Sequence, residues 1–192
     1  GHTRAFLKVQ DGCDAFCRYC IVPIARGRSR SLPGKDVLER AASLVAAGHR
    51  EIVLTGVHLG AYGADLRPQT DLLALCRNIE EGNVLKRLRL SSIEPREVSD
   101  EMIAHMRQSR VLCGHFHIPL QSGDDETLKR MGRDYDRGFF RERVEKIADA
   151  LPEAAIGIDV MTGFPGEDEK AFENTFEFVE SLPVAYLHVF PY

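Results

Sequence analysis

No stretch of this sequence approaches the ~20 consecutive apolar residues that a membrane-crossing helix requires, and its charged residues, 28% of the chain, are spread along the whole length. A membrane span is therefore not expected. The start, Gly1 to Gln10, is polar and then strand-like. It lacks the basic and apolar pattern of a secretory leader, so a cytoplasmic location is the expectation. Positive charge is not in excess: 25 Lys and Arg stand against 29 Asp and Glu, a net charge of −4. Bulk electrostatics alone does not make the chain a nucleic-acid binder. Low-complexity tracts and flexible linkers are missing, so residues 1–192 read as one domain. Cysteine is scarce and odd in number, five in all. A secreted disulfide framework favours even counts spread along a chain, and a metal site in a reducing compartment fits better.

What is present is an alternation of strand and helix patterns. Strand-like runs occur at residues 4–10, 50–60, 85–95, 115–123, 154–167 and 184–192. Between them lie helical patterns at 33–48, 70–82, 99–109, 124–132, 137–152 and 168–183. Pro33 and Gly48 suit helix ends, and Ser99 suits an N-cap. Such alternation predicts βα units and a parallel sheet. Six units are visible, the last without its helix, whereas a closed eight-unit barrel takes ~250 residues. The expectation is an α/β fold, either a partial six-stranded (β/α)6 TIM-like barrel or a doubly wound sheet. In both, ligands gather at the carboxyl ends of the strands. Those ends read DGC, TGVHLG, SSIEP, PLQSG, MTGFPGE and FPY. The chain ends on an uncovered apolar strand, which points to a piece of a longer protein. The apolar stripes of 43–47 (SLVAA) and 172–179 (FENTFEFV) read as core faces of helices.

Three of the cysteines, Cys13, Cys17 and Cys20, fall within eight residues at spacing C-x3-C-x2-C. A structural zinc site wants four ligands, and this loop supplies three. Cys76, in an apolar helix pattern, and Cys113, just before the fourth strand, read as small core residues. Three close thiolates suit an iron–sulfur cluster. A four-iron four-sulfur (4Fe–4S) cluster held by three cysteines leaves one iron open to a small molecule with an amine and a carboxylate. A zinc site or a purely structural thiol cluster stays open as the alternative.

The stretch GCDAFCRYCIVPIARGRSRS, residues 12–31, resembles the signature of the radical S-adenosylmethionine (SAM) superfamily, with aromatic Tyr19 before the third cysteine. It is similar, more narrowly, to the methylthiotransferases, through Gly12, Pro23, Arg26, Gly27, Arg30 and Ser31 and through LTGVHLGAYG, HIPLQSGDDETLKRMGRDY and MTGFPGE further along. TGVHLGAYG resembles the branch acting on N6-threonylcarbamoyladenosine beside the tRNA anticodon. The alternatives are the isopentenyladenosine branch and the branch that modifies a ribosomal-protein aspartate. The resemblance implies a 4Fe–4S cluster on Cys13, Cys17 and Cys20, and SAM lying across the strand ends. It also implies a second cluster on three cysteines of an N-terminal domain, a C-terminal RNA-binding domain, and an electron donor such as flavodoxin or ferredoxin. The implied reaction is cleavage of SAM to a 5′-deoxyadenosyl radical and methylthiolation of the adenosine at C2.

Implied SAM contacts are Tyr19, Thr55, Gly56, Glu94, Gln121, Ser122, Arg133, Asp159 and Gly163. Thr55, Gly56 and Val57 stand where the superfamily has a glycine-rich stretch. Glu94 would meet the ribose or amine, Arg133 the carboxylate, and Gly163 with Gly166 would let backbone approach adenine. Each has a plainer reading. Glu94 precedes Pro95 and could cap a turn, Arg133 could lie on the surface, and Gly163 and Gly166 flank a turn. Asp159 sits in an otherwise apolar strand and needs a partner if buried. His115 and His117 share a strand face and read as rim or core histidines, and His58 is a weaker candidate for substrate contact. Arg18, Arg26, Arg28, Arg30 and Lys35 form a local run without acids that could anchor RNA phosphates or pack the cysteine loop.

Overall fold

The computed structural model describes residues 4–82 and 85–192. In chain order its elements are β1 (Arg4–Lys8), β2 (Gln10–Asp11), α1 (Val22–Arg26), β3 (Arg30–Ser31), α2 (Gly34–Ala46), β4 (Glu51–Thr55), α3 (Leu72–Glu81), β5 (Arg87–Leu90), α4 (Asp100–Gln108), β6 (His115–Gln121), α5 (Asp125–Met131), α6 (Arg137–Ala150), β7 (Ala155–Thr162), α7 (Glu169–Glu180) and β8 (Tyr186–Pro191). Side-chain caps start the helices where the sequence offers Asp or Ser. Asp71, Ser99, Asp124, Asp136 and Asp168 each accept a backbone N–H from three residues on, which satisfies a donor the helix cannot. No helix of the described residues is long and apolar enough to cross a membrane.

β1 pairs with β4, β4 with β5, β6 with β7, and β7 with β8, every time in parallel. A parallel bridge between Leu88 and Leu112, with Leu88 N–H donating to the Val111 carbonyl at 2.8 Å, joins β5 to the approach of β6. Spatial order therefore follows chain order. A doubly wound sheet reverses direction at a switch point, so the two expected architectures separate, and the partial barrel is the one found. No pairing links β1 to β8 among the described residues, and the barrel stays open. The short antiparallel ribbon β2–β3 and helix α1, which frame the cysteine loop, carry no periodic signal and were not expected.

Side-chain direction alternates along each strand, and here it sorts residues sharply. Ile52, Leu54, Phe116, Ile118, Ile156 and Ile158 belong to the apolar core under the helices. The intervening residues face the concave side. Glu51 accepts from Arg89 at 2.8 Å, Arg87 at 2.9 Å and Arg4 at 3.0 Å, and next along come His115, His117, Asp159, Tyr186 and His188. The Glu51 carboxyl is pushed up by burial, but the bonds from Arg89 and Arg87 outweigh that and hold it below the usual range.

Cys76 is wholly buried in the core, where desolvation drives its thiol up to about 12, and Cys113 is buried as well. The stripe of α7 needs correction. Ala171, Thr175 and Phe178 are buried, but Phe172 and Phe176 are 44% and 62% exposed. With Leu187 and Val189 they line an apolar groove along β8, because helical period places them one step around from the stripe that meets the sheet.

Candidate active site at the carboxyl ends of the strands

The cysteine loop leaves β2 at Gly12. That residue has φ +73°, and an added Cβ would lie 2.0 Å from the Arg28 carbonyl oxygen, so only glycine lets the two ends of the loop cross. Cys13 N–H donates to the Gly27 carbonyl at 3.1 Å, Arg18 N–H to Met131 at 2.9 Å and Cys20 N–H to Cys17 at 3.0 Å. Gln10, buried and unnoticed in the sequence, fastens this loop to the end of β4. Its amide donates to the Gly12 carbonyl at 2.8 Å and to the Ser29 hydroxyl at 3.0 Å, and its Oε1 accepts His58 N–H at 2.7 Å. Gly56 packs on it: a Cβ there would meet Gln10 Oε1 at 2.8 Å.

Cys13, Cys17 and Cys20 are free thiols, each half-buried. Two basic side chains approach them. His58 Nδ1 lies 3.4 Å from Cys13 Sγ, and its Nε2 lies 2.6 Å from Glu97. The Glu97 bond raises the His58 pKa above the ordinary value against the opposing effect of burial. Arg133 Nη1 donates to Cys17 Sγ at 3.3 Å and to Tyr19 OH at 3.2 Å, Nε donates to Tyr135 OH at 3.1 Å, and Nη2 pairs with Glu94. Burial pushes the Glu94 carboxyl up and the adjacent guanidinium pulls it back, while burial raises the Tyr19 phenol. Beside the loop a pocket of about 280 Å³ is lined by Ala15, Cys17, His58, Glu94, Glu97 and Arg133.

This donor set fits an iron–sulfur cluster. The soft thiolate ligands are half-exposed on one loop, Arg133 donates to one sulfur, His58 Nδ1 lies against a second, and a pocket opens beside them. No fourth thiolate is at hand, since Cys76 and Cys113 are buried elsewhere.

The remaining candidates divide. Thr55, ending β4, gives its carbonyl to Val9 N–H at 2.9 Å. Gln121, at a register shift in β6, has φ +68°, a conformation that L residues rarely adopt. Gly163 has φ +77° with open space where a side chain would stand. Ser122 is drawn away: it is fully buried, with its hydroxyl 3.1 Å from Thr175 Oγ1 and accepting Asp124 N–H at 3.2 Å. Asp159 lies deeper, on the concave face with His117 and His188. Arg133 is not on the surface; every nitrogen has a protein partner. The arginine run is less cationic than it reads, because Arg26 and Arg30 sit on Asp11 and Arg28 on Asp14. Residues missed by the sequence reading are Gln10, Glu97 and Tyr135. Glu97 carries a local signal, since it closes a capping box with Glu94 three residues before it, whereas Gln10 reaches His58 and Tyr135 reaches the Pro119 and Leu120 carbonyls across longer separations.

A family model described as the radical SAM superfamily matches residues 7–179. The chain belongs to that superfamily. Radical SAM membership implies a 4Fe–4S cluster and SAM, and the thiol loop is the place in this chain that fits the cluster. Among curated proteins, the chain is 45% identical over 190 residues to a Bacillus subtilis protein named threonylcarbamoyladenosine tRNA methylthiotransferase MtaB, covering 99% of this chain and 42% of that one. It is 42% identical to the protein of the same name from Thermotoga maritima, covering 98% and 43%. It is 39% identical to a tRNA-2-methylthio-N(6)-dimethylallyladenosine synthase from Carboxydothermus hydrogenoformans, covering 94% and 41%. The chain thus spans about half the length of the curated relatives it matches. Solved radical SAM folds align over nearly all of it. The methyltransferase TsrM from Kitasatospora setae, with cobalamin and a 4Fe–4S cluster bound, gives a TM-score of 0.77 at 16% identity over 97% of this chain and 36% of that one. The Escherichia coli coproporphyrinogen III oxidase HemN gives 0.69 at 15% over 98% and 44%.

Proposed function

We propose that this chain is the radical SAM core of a tRNA methylthiotransferase acting at C2 of N6-threonylcarbamoyladenosine beside the anticodon. The observation that carries the reading is the loop of three free, half-buried thiols, faced by Arg133 and His58 at the carboxyl ends of a parallel sheet. The names of its relatives support the substrate class. Cys13, Cys17 and Cys20 hold the cluster. A cluster bound there would supply the electron for reductive cleavage of the SAM sulfur–carbon bond to methionine and a 5′-deoxyadenosyl radical.

The protein's part is binding and orientation. Arg133 is committed to Glu94, Tyr19 and Cys17, so it acts as a positioning residue that fixes the cysteine loop. Glu94, half-buried at the pocket, is left to receive the ammonium of SAM. Thr55, Gly56 and Gln121 present backbone at the neighbouring strand ends, and Gly163 leaves room for adenine. Asp159 is proposed for substrate rather than SAM, and Ser122 for support of the β6 end. A second cluster in an N-terminal segment, a flavodoxin or ferredoxin as electron donor, and a cytoplasmic location complete the proposal, with residues 1–192 as one core domain.

The test is anaerobic reconstitution with iron and sulfide, then reduction in the presence of SAM and detection of 5′-deoxyadenosine. Cluster-loaded protein should form it, and Cys17→Ala should lose both the cluster absorbance and the product. Loaded protein that never cleaves SAM would refute the proposal.

A further inference from the structure

The concave face carries a chain of hydrogen bonds that the roles assigned to SAM binding leave unused. Tyr186 OH lies 2.8 Å from His115 Nε2 and 3.1 Å from His117 Nδ1. His117 Nε2 lies 2.8 Å from Asp159 Oδ1, and His188 Nδ1 reaches the same oxygen at 3.2 Å. Gly157 makes the arrangement possible, since an added Cβ would lie 2.0 Å from the Tyr186 ring.

The atoms orient one another. A carboxylate only accepts, so both imidazoles turn an N–H toward Asp159. His117 Nδ1, in the neutral ring, then accepts from Tyr186, whose oxygen accepts from His115. The chain ends at His188, 54% exposed, whose Nε2 has no partner among the described residues. Next inward-facing on the same strand is Phe190, 50% exposed, its ring 6.3 Å from that of His188 and nearly perpendicular to it. An aimed polar nitrogen beside the exposed Phe190 ring, in an open concavity, is the equipment for a flipped-out nucleobase with a polar substituent.

We propose that His188, held by Asp159 and His117, receives the polar N6 substituent of the target adenosine and sets specificity for it. The inference rests on the tRNA-adenosine reading above. The relatives' names separate two substituents: a threonylcarbamoyl group, which carries amide, hydroxyl and carboxylate, and a dimethylallyl group, which is hydrocarbon. Seated against His188, the hydrocarbon would strip water from an imidazole nitrogen and offer no bond in return. A site built to hydrogen-bond its ligand rejects such an analogue strongly. The ligand atoms of His117, Asp159 and His188 also lie within 4.8 Å of one another, the spacing of a metal site, but hydrogen bonds already join them without an ion.

The experiment measures binding of anticodon stem-loop RNAs bearing threonylcarbamoyl-, dimethylallyl- or unmodified adenosine to the cluster-loaded chain by fluorescence anisotropy. Wild type should prefer the threonylcarbamoyl loop over the dimethylallyl loop by about tenfold or more, and His188→Ala should shrink that to about twofold. Affinity for the unmodified loop should not change in His188→Ala, and Asp159→Asn, which unfastens the ring, should fall between. A preference retained in His188→Ala, with the circular dichroism spectrum unchanged, overturns this inference and leaves the proposed function standing. Wild type that binds the threonylcarbamoyl and dimethylallyl loops equally well overturns the inference alone, and loaded wild type that cleaves no SAM overturns both. Stoichiometric zinc or iron(II) held by a variant lacking Cys13, Cys17 and Cys20, and lost in His188→Ala, would make the cluster a metal site instead.

Discussion

On β7 the side chains of Ile156, Ile158 and Val160 are buried beneath the helices, whereas Asp159, between them, looks into an open concavity shared with His117 and His188. The same contrast runs across the sheet: Ile52 and Leu54 pack outward while Glu51 meets three arginines on the inner side. A closed eight-stranded barrel fills its interior with branched apolar side chains. Six strands do not close. Water reaches the inner face, charged groups there keep partial hydration, and their cost falls. The outer face is thereby left to carry stability, and the inner face is free to carry recognition.

The comparison breaks most visibly on the outer face. Phe116→Ala should lower the unfolding free energy by about 3–5 kcal/mol, read from denaturant melts, and a loss near zero would mean the two faces are misassigned. On the inner face, Glu51→Gln should cost about 1–3 kcal/mol, because the buried carboxylate is the common partner of three arginines that are themselves partly exposed. The pH dependence follows from the depressed Glu51 pKa. Its contribution is fully present above the unfolded value of ~4.3 and is lost as pH falls through the lower folded value. Acid melts should therefore be steeper in wild type than in Glu51→Gln. Gly157→Ala should cost about 1–3 kcal/mol by overpacking against Tyr186 and should also weaken the threonylcarbamoyl preference. The smallest effect is expected for His188→Ala, within about 0.5 kcal/mol, as for an exposed side chain. A large stability loss there would make His188 a structural residue instead.

Much of the frame is legible in the residues themselves. Strand-like runs between helical patterns mark the six parallel strands, and Asp or Ser at fixed offsets marks the helix starts, because caps act over three residues. The cysteine triplet is legible for the same reason: its ligands are neighbours in the chain. The arginine run misleads because Asp11 and Asp14, which neutralise three of its members, lie just upstream or within the loop and meet them only when β2 and β3 pair. The residues alone leave Arg133 open between a SAM contact and a surface position, because its partners Glu94 and Cys17 are 39 and 116 positions away. The ribbon and helix around the cysteines have no period to detect.

By itself the sequence determined the alternation of elements, the superfamily signature and the thiols that fit a cluster, all of which depend on short-range spacing. Tertiary structure alone decided that the sheet is singly wound and open, that His58 and Arg133 face the sulfurs, and that His117, Asp159 and His188 share one oxygen. Parallel strands pair only across long crossovers, so residues from 29 to 116 positions apart become neighbours through the fold, and no local pattern encodes which of them will meet.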